Sequence, residues 1–222
     1  MRWALFSVPV DAAAAPAVRP ERINMNGALF AAPGLFVREL ELGDDLKLAS
    51  WPDTVYLGSD GHHWGSAESA QENLDELKLL WGNVTVVCNT DNGQALGLLV
   101  WTEEPDGGCR FGLELAPDRI GRGIGRQLVI SFIEFAFGIL GFKELRAKVS
   151  ATNIPALNLG RQLNFHLVDE SYEVTPHCRL PIFTDKRYEG VRENFRNEGG
   201  IVMERVLELG LDVENWHPSV FE

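Results

Sequence analysis

Leu113-Glu114-Leu115-Ala116-Pro117-Asp118-Arg119-Ile120-Gly121-Arg122-Gly123-Ile124-Gly125-Arg126-Gln127-Leu128 is the stretch on which the rest of the chain turns. An alternating apolar segment runs into a proline, a basic glycine-rich turn follows, and a long apolar helix begins near Gly125. At such a strand-to-helix turn the first main-chain N–H groups of the helix have no partner within it. Gly121, Gly123 and Gly125 let the backbone approach a ligand without Cβ atoms in the way. Arg119, Arg122 and Arg126 add positive charge. The physical reading is a cradle for a pyrophosphate.

Two common phosphate motifs do not fit. A P-loop needs Lys-Ser or Lys-Thr after its last glycine, and here Arg126-Gln127 follows. The dinucleotide fingerprint needs a third glycine where Arg126 stands, and it opens a parallel unit early in a domain. Here several strands linked by hairpin turns come first. Glycines that serve only a tight turn remain the plain alternative, although three alternate glycines with three arginines exceed what a turn needs.

Working outward, Phe111, Leu113 and Leu115 share one face of the strand before the turn, and Arg110, Gly112 and Glu114 share the other. The helix after it, Gly125 to about Leu140, carries one narrow polar stripe, Gln127, Ser131, Glu134 and Gly138, so it packs nearly buried on a sheet. Upstream, Leu35 to Leu40 predicts a first strand, and Leu46, Leu48, Ala49 and Trp51 a short helix opened by Gly43-Asp44-Asp45. Asp53 to Gly65 reads as loop. Ser66 caps a helix with Leu74, Leu77 and Leu80 on one side. Val84 to Cys88 and Ala95 to Trp101 form a hairpin across Asn89 to Gln94. A second turn, Glu103 to Gly108, leads to the strand Arg110 to Leu115. Downstream, Leu145, Ala147 and Val149 alternate in a strand. Thr152-Asn153 caps a short helix through Leu163. Phe165 to Asp169 and His177 to Phe183 follow as strands. Residues 1–33 are Ala- and Pro-rich without sustained period and read as an extension, with a signal-peptide-like run broken by Pro9 and Asp11. A domain spans 34–183. The segment 184–222 reads as a second extension, helical through Val202 to Leu211.

The chain has 222 residues, enough for one domain with a real core. Its net charge of −12 argues against general nucleic-acid binding. That charge favours a cationic substrate or serves only solubility. Cys88, Cys109 and Cys178 are sparse, odd in number and without metal-ligand spacing, which fits a reducing, cytoplasmic setting. No apolar run reaches membrane-spanning length. Adjacent His62 and His63 lack a third ligand nearby, so no metal site is expected.

The order strand, helices, hairpin strands, Gly-x-Gly turn, helix, strand and Asn-capped helix resembles the GNAT superfamily of acyl-CoA N-acyltransferases. That family's loop reads Gln/Arg-x-x-Gly-x-Gly/Ala. Gly123-Ile124-Gly125 fills its last three places, and Ile120 stands at the first as a departure. The family's second signature is Asn-x-x-Ala-x-x-Leu, then usually Tyr, then Gly-Phe. Asn153, Ala156, Leu159 and Phe165 match it, while Gly160 replaces the tyrosine and Asn164 the glycine. Leu35 to Leu40, Asp44-Asp45, Trp51 and Ser66 to Ala70 are similar to the ribosomal-protein N-terminal acetyltransferase branch.

The resemblance implies an α+β fold, a mixed and mainly antiparallel twisted sheet with helices on both faces. It implies acetyl-CoA as co-substrate and no metal. Gly121, Arg122, Gly123, Ile124, Gly125 and Arg126 would hold the CoA pyrophosphate, and Asn153 the pantetheine arm. The main chain near Leu115 would pair with that arm and polarise the thioester carbonyl. Glu114 is the first candidate base for the acceptor amine, with a solvated strand carboxylate as the bland alternative. Glu103 and Glu104 are second choices. The acceptor would be a small cationic amine or a protein N-terminus, attacked directly. A non-catalytic CoA-binding or scaffold protein is the rival. Tyr172 is a candidate acid without a spacing argument. Trp51, Trp64 and Trp81 read first as core, and His166 as packing or surface. The segment after Thr184 either covers the acceptor site or makes a homodimer contact.

Overall fold

A computed structural model describes residues 27–51, 64, 66–174 and 180–217. These fall into two compact units, one of residues 27–51, 64, 66–146 and 211–217, the other of residues 147–174 and 180–210. His62, His63, Cys178, most of the expected loop at 53–65 and the first part of the expected strand at 177–183 lie outside the described residues.

In the first unit, short connections give antiparallel neighbours. β1 (Ala28–Ala32) pairs with β2 (Leu35–Glu39), β2 with β3 (Asn83–Asn89), β3 with β4 (Ala95–Glu103), and β4 with β5 (Cys109–Leu115). β5 then passes through α3 (Ile124–Gly138) to β6 (Glu144–Ser150), and this one helical crossover makes a parallel pair. The sheet is therefore mixed and mainly antiparallel, as expected.

Helices cover both of its faces. On one, Phe132 and Phe135 of α3 meet Phe30 of β1, Trp101 of β4 and Phe111 of β5, with ring centroids 4.9–6.2 Å apart. Phe132 is fully buried, and truncating such a side chain costs about 3–5 kcal/mol. On the other lie α1 (Asp44–Ala49) and α2 (Ala67–Trp81), with Trp51 donating Nε1–H to the Ala95 carbonyl at 3.2 Å. α2 buries Ala70, Asn73, Leu74, Leu77 and Trp81, so Trp81 rather than Leu80 completes its stripe. Ser66 caps it as expected, accepting the Ser69 N–H at 3.1 Å.

β1 corrects the reading of residues 1–33 as an extension throughout. Phe30 completes the aromatic cluster on α3, and Pro33-Gly34, with Gly34 at φ 73°, makes the turn into β2. A Pro-Gly pair is a turn signal in itself.

The second unit holds α4 (Ile154–Gln162), β7 (His166–Val174), β8 (Phe195–Glu198) and β9 (Ile201–Asp212), with β7 and β8 both antiparallel to β9. Ile182, Phe195 and Val202 form a small core, flanked by Leu180, Tyr188 and Val191. Here two expectations are overturned. Leu180 to Phe183 is turn rather than the end of a strand. The segment 202–211, read as helix, is strand. Val202, Glu204 and Val206 alternate inward, but the carboxylate among them breaks the apolar period of two. What remains, Val202, Val206 and Leu209, is spaced like one face of a helix. Gly199 and Gly200, both at positive φ, close the β8–β9 hairpin.

Candidate active site

β5 ends at Leu115. Pro117–Arg119 makes one 3-10 turn, Ile120 is extended, and Gly121 and Gly123 follow at φ 77° and 81°. A side chain would be strained at either position, and a Cβ built on either would meet nothing within 4 Å. Among the described residues the space beside them is open. Gly123 is the N-cap of α3, yet among the described residues no side chain caps that helix, and its first turn holds no acidic residue. Its leading N–H groups and the positive end of its dipole therefore face outward together. Arg122 and Arg126 are exposed beside them. Arg119 is turned elsewhere, to Asp118 at 3.1 Å and to Gln94 Oε1 at 3.2 Å. Gly125 differs from the other two. It is helical, and its would-be Cβ rests 3.5 Å from Leu115 Cδ1.

The strand that feeds this turn is paired differently on its two edges. β5 runs antiparallel to β4 along its whole length, from Gly97↔Leu115 to Glu103↔Cys109. Its parallel pairing with β6 covers two positions, Cys109↔Leu145 and Arg110↔Arg146. The Ala116 N–H donates to the Leu96 carbonyl at 2.9 Å, so by alternation the main-chain N–H and C=O of Leu115 point away from β4. β4 bulges at the same level, where its register on β3 shifts between Gly97 and Ala95. Gly97 must be glycine there, because a Cβ would lie 2.6 Å from the Glu114 carbonyl oxygen and 2.9 Å from Leu115 Cδ2.

Glu114 faces the α1–α2 side, opposite Leu98 of β4. Its Oε1 accepts the indole N–H of Trp64 at 2.9 Å. Trp64 is 3% exposed and meets Trp51 edge-on at 5.7 Å. Both tryptophans are core, as read, but Trp64 also reaches a carboxylate 50 residues away in the chain. No local pattern signals such a contact. The second-choice carboxylates are not brought to the turn. Glu103 and Glu104 sit at the far end of β5, where Glu104 is bound by Arg110 and by Arg146 at 3.0 Å. Burial pushes the thiols of Cys88 and Cys109 above their ordinary range, so neither is a ready thiolate nucleophile.

In the second unit Asn153 caps α4, its Oδ1 accepting the Ala156 N–H at 3.2 Å. The turn before it is fixed by a cluster the sequence did not suggest. Glu204, 4% exposed, accepts hydrogen bonds from the hydroxyls of Ser150 and Thr152, the latter at 2.6 Å. Thr152 N–H bonds Ser150 Oγ, and Ala151 N–H bonds the Arg205 carbonyl. Gly160 is buried, and a Cβ there would lie 2.9 Å from Leu209 Cδ1, so a side chain at that place would require Leu209 to shift. Asn164 has φ 63°, the left-handed conformation glycine would adopt and asparagine tolerates. Tyr172 lies under the Arg196 guanidinium, 3.6 Å from its ring centroid. His166 is exposed, its ring over Gly210. Among the described residues no group of three or more His, Cys, Asp or Glu is arranged to hold a metal. No helix among them is long and apolar enough to cross a membrane.

The family model described as an acetyltransferase (GNAT) domain matches residues 35–166, more than half of the chain. The chain belongs to the GNAT acetyltransferase family. Solved structures share its fold. A GNAT-family acetyltransferase from Bacillus anthracis superposes with a TM-score of 0.59 at 10% identity, covering 83% of this chain and 98% of that one. The spermidine N-acetyltransferase of Vibrio cholerae, in complex with CoA and spermine, gives 0.57 at 17% identity, covering 82% and 98%. The ribosomal-protein-S5-alanine acetyltransferase of Vibrio fischeri gives 0.54 at 15%, covering 83% and 96%. No curated protein matches the sequence. Of the two segments that resemble the family's signatures, one starts α3 on a left-handed glycine and the other starts α4 on an asparagine whose side chain caps the helix.

Proposed function

We propose that this GNAT protein is an acetyl-CoA-dependent N-acetyltransferase that acts on a primary amine by direct transfer. The observation that carries this reading is the α3 N-terminus: a left-handed glycine cap and, among the described residues, no side-chain cap and open space beside Gly121 and Gly123. A CoA pyrophosphate fits that cradle, held by the main chain from Gly121 through Ile124 and Gly125 and by the charges of Arg122 and Arg126. The outward main chain of Leu115 pairs with the pantetheine arm like an added strand, and its N–H stabilises the oxyanion formed at the thioester carbonyl. Asn153 is read as a further CoA-binding residue. Glu114 removes the proton from the attacking amine, directly or through one water. The amine nitrogen forms the new bond to the acetyl carbon, the C–S bond breaks, and the thiolate takes a proton from water. A net charge of −12 favours a cationic acceptor, a small polyamine-like molecule or a basic protein N-terminus.

A second reading, a CoA-binding protein without turnover, draws on Gly160, where packing on Leu209 replaces the usual acid. One measurement separates them. Acetyl-CoA raises the melting temperature under either reading. Thiol release with a panel of primary amines occurs only under the first. Glu114→Gln is expected to lower kcat on the order of 10²- to 10⁴-fold while leaving the acetyl-CoA thermal shift intact. Unchanged kcat in this variant removes Glu114 from the reaction.

A further inference from the structure

We propose that Trp64 is the positioning residue for the base of this enzyme, fixing the Glu114 carboxylate through its indole N–H. The inference rests on the reading of Glu114 as base. Four observations carry it. The bond is 2.9 Å and ends on Oε1 of Glu114. Trp64 is held from behind by Trp51, edge-on at 5.7 Å and 66°. Trp51 in turn is tied by its own N–H to the carbonyl of Ala95, at the β4 bulge. That bulge sets Gly97 against Leu115, the residue whose main chain is directed away from β4. One aromatic pair thus connects the bulge beside the thioester-binding main chain to the carboxylate that receives the amine proton.

The chemistry of the partner matters. An indole N–H donates and never accepts. It orients a carboxylate without competing for the proton that carboxylate must collect. A hydroxyl or a histidine in the same place would offer an acceptor of its own. The side chain facing Glu114 from β4 is Leu98, which supplies no charge. A purely packing role for Trp64 would ask for an aromatic ring but not for its nitrogen.

The test separates ring from nitrogen. Trp64→Phe keeps the contact with Trp51 and removes the donor. Its kcat is expected to fall about tenfold to a hundredfold, the loss typical for a hydrogen bond to a charged group, with the KM for acetyl-CoA unchanged. In a Glu114→Gln background the same substitution is expected to change kcat little, because the group it positions is gone. Proton–nitrogen NMR supplies a readout independent of turnover. The Trp64 indole N–H resonance, assigned by its loss in Trp64→Phe, is expected to move upfield in Glu114→Gln. If the wild type releases thiol and Trp64→Phe matches its kcat, or the double variant is additive, or the indole resonance ignores Glu114→Gln, the positioning role falls and the acetyltransferase reading stands. If the wild type releases no thiol with any amine, the acetyltransferase reading falls and takes the role with it.

Discussion

At the turn from β5 into α3 the helix starts on Gly123, left-handed, with no side-chain cap among the described residues. At the turn from β6 into α4 it starts on Asn153, whose own Oδ1 takes the Ala156 N–H at 3.2 Å. Both are strand-to-helix junctions of one family signature each. The first is left open and the second is closed by its own side chain and braced from below by Glu204. The difference teaches when a helix N-terminus is available to an anion: when the chain has withheld its own cap. A third junction, from β2 into α1, sharpens the rule. It also starts on a left-handed glycine without a side-chain cap, Gly43 at φ 91°. There the chain supplies the anion itself. Asp44, fully buried, accepts from the Glu41 N–H at 2.8 Å, from Arg38 at 2.7 and 2.8 Å and from Lys47 at 2.9 Å.

The largest expected effect therefore falls at the self-filled junction. Asp44→Asn leaves the buried Arg38 guanidinium with only the exposed Glu41 carboxylate, 3.7 Å away, and stability to urea is expected to drop by about 3–5 kcal/mol. The pH dependence has a definite sign. Burial alone would raise the Asp44 carboxyl, but the bonds from Arg38, the Glu41 N–H and Lys47 outweigh it and hold it at about 2, against an ordinary 3.8. A folded-state pKa below the unfolded one gives stability that is present above the unfolded value and lost as pH falls through the folded one. The gap between wild type and Asp44→Asn should then narrow from pH 4 down to pH 2. A constant gap across that window would mean the pair is not ionised as drawn.

The open junction is next. Gly123→Val forces a β-branched residue into the left-handed region, at about 1–3 kcal/mol of stability, and places methyl groups in the space kept for the ligand. The thermal shift with acetyl-CoA is expected to vanish. A variant that folds and still shows the full shift would mean the donor binds elsewhere, and the contrast between the two turns would lose its functional meaning.

At the closed junction the cap made by Asn153 and its proposed contact with CoA can be split. Asn153→Ala removes both cap and amide, and should cost about 1 kcal/mol of stability together with acetyl-CoA affinity. Asn153→Asp keeps a good cap but lacks the amide donor, so stability should hold within about 0.5 kcal/mol while affinity falls. Equal stability losses in the two variants would show that the cap contributes nothing and that the turn is held by Glu204 alone.

These contrasts also explain what the sequence could reveal. The open junction was legible because its requirements are local: strand alternation into Pro117, glycines at the two positive-φ positions, and a helix whose polar stripe is narrow. The Asn153 cap was legible for the same reason. Arg38 with Asp44 was only half visible, since Asp44 reads as a helix opening while its buried partner is a residue of the preceding strand. Glu204 was invisible, and it also disguised its strand as a helix by interrupting the inward apolar series. Trp64 and Glu114 were each noticed, yet the bond between them depends on a sheet and two helices placing them together. β1 was passed over although Pro33-Gly34 announced its turn, because five small and apolar residues show too little alternation to be told from an alanine-rich extension.

The smallest expected effect is the sharpest probe of how the open junction is built. Gly125 shares the loop with Gly121 and Gly123 but not their reason for being glycine. Its backbone is helical, and an added methyl would make ordinary contact with Leu115 Cδ1 at 3.5 Å and Leu113 Cδ2 at 3.9 Å. Gly125→Ala should then be tolerated, raising stability by no more than about 1 kcal/mol through helix propensity, seen as an unchanged or slightly higher melting temperature. Acetyl-CoA should still shift it. If instead the variant folds as well as the wild type but loses the shift, the methyl group stands in the path of the ligand. The phosphates would then rest against the Gly125 side of the first turn, and the outward fan of N–H groups at Gly121 to Gly123 would be a consequence of the turn rather than the cradle itself.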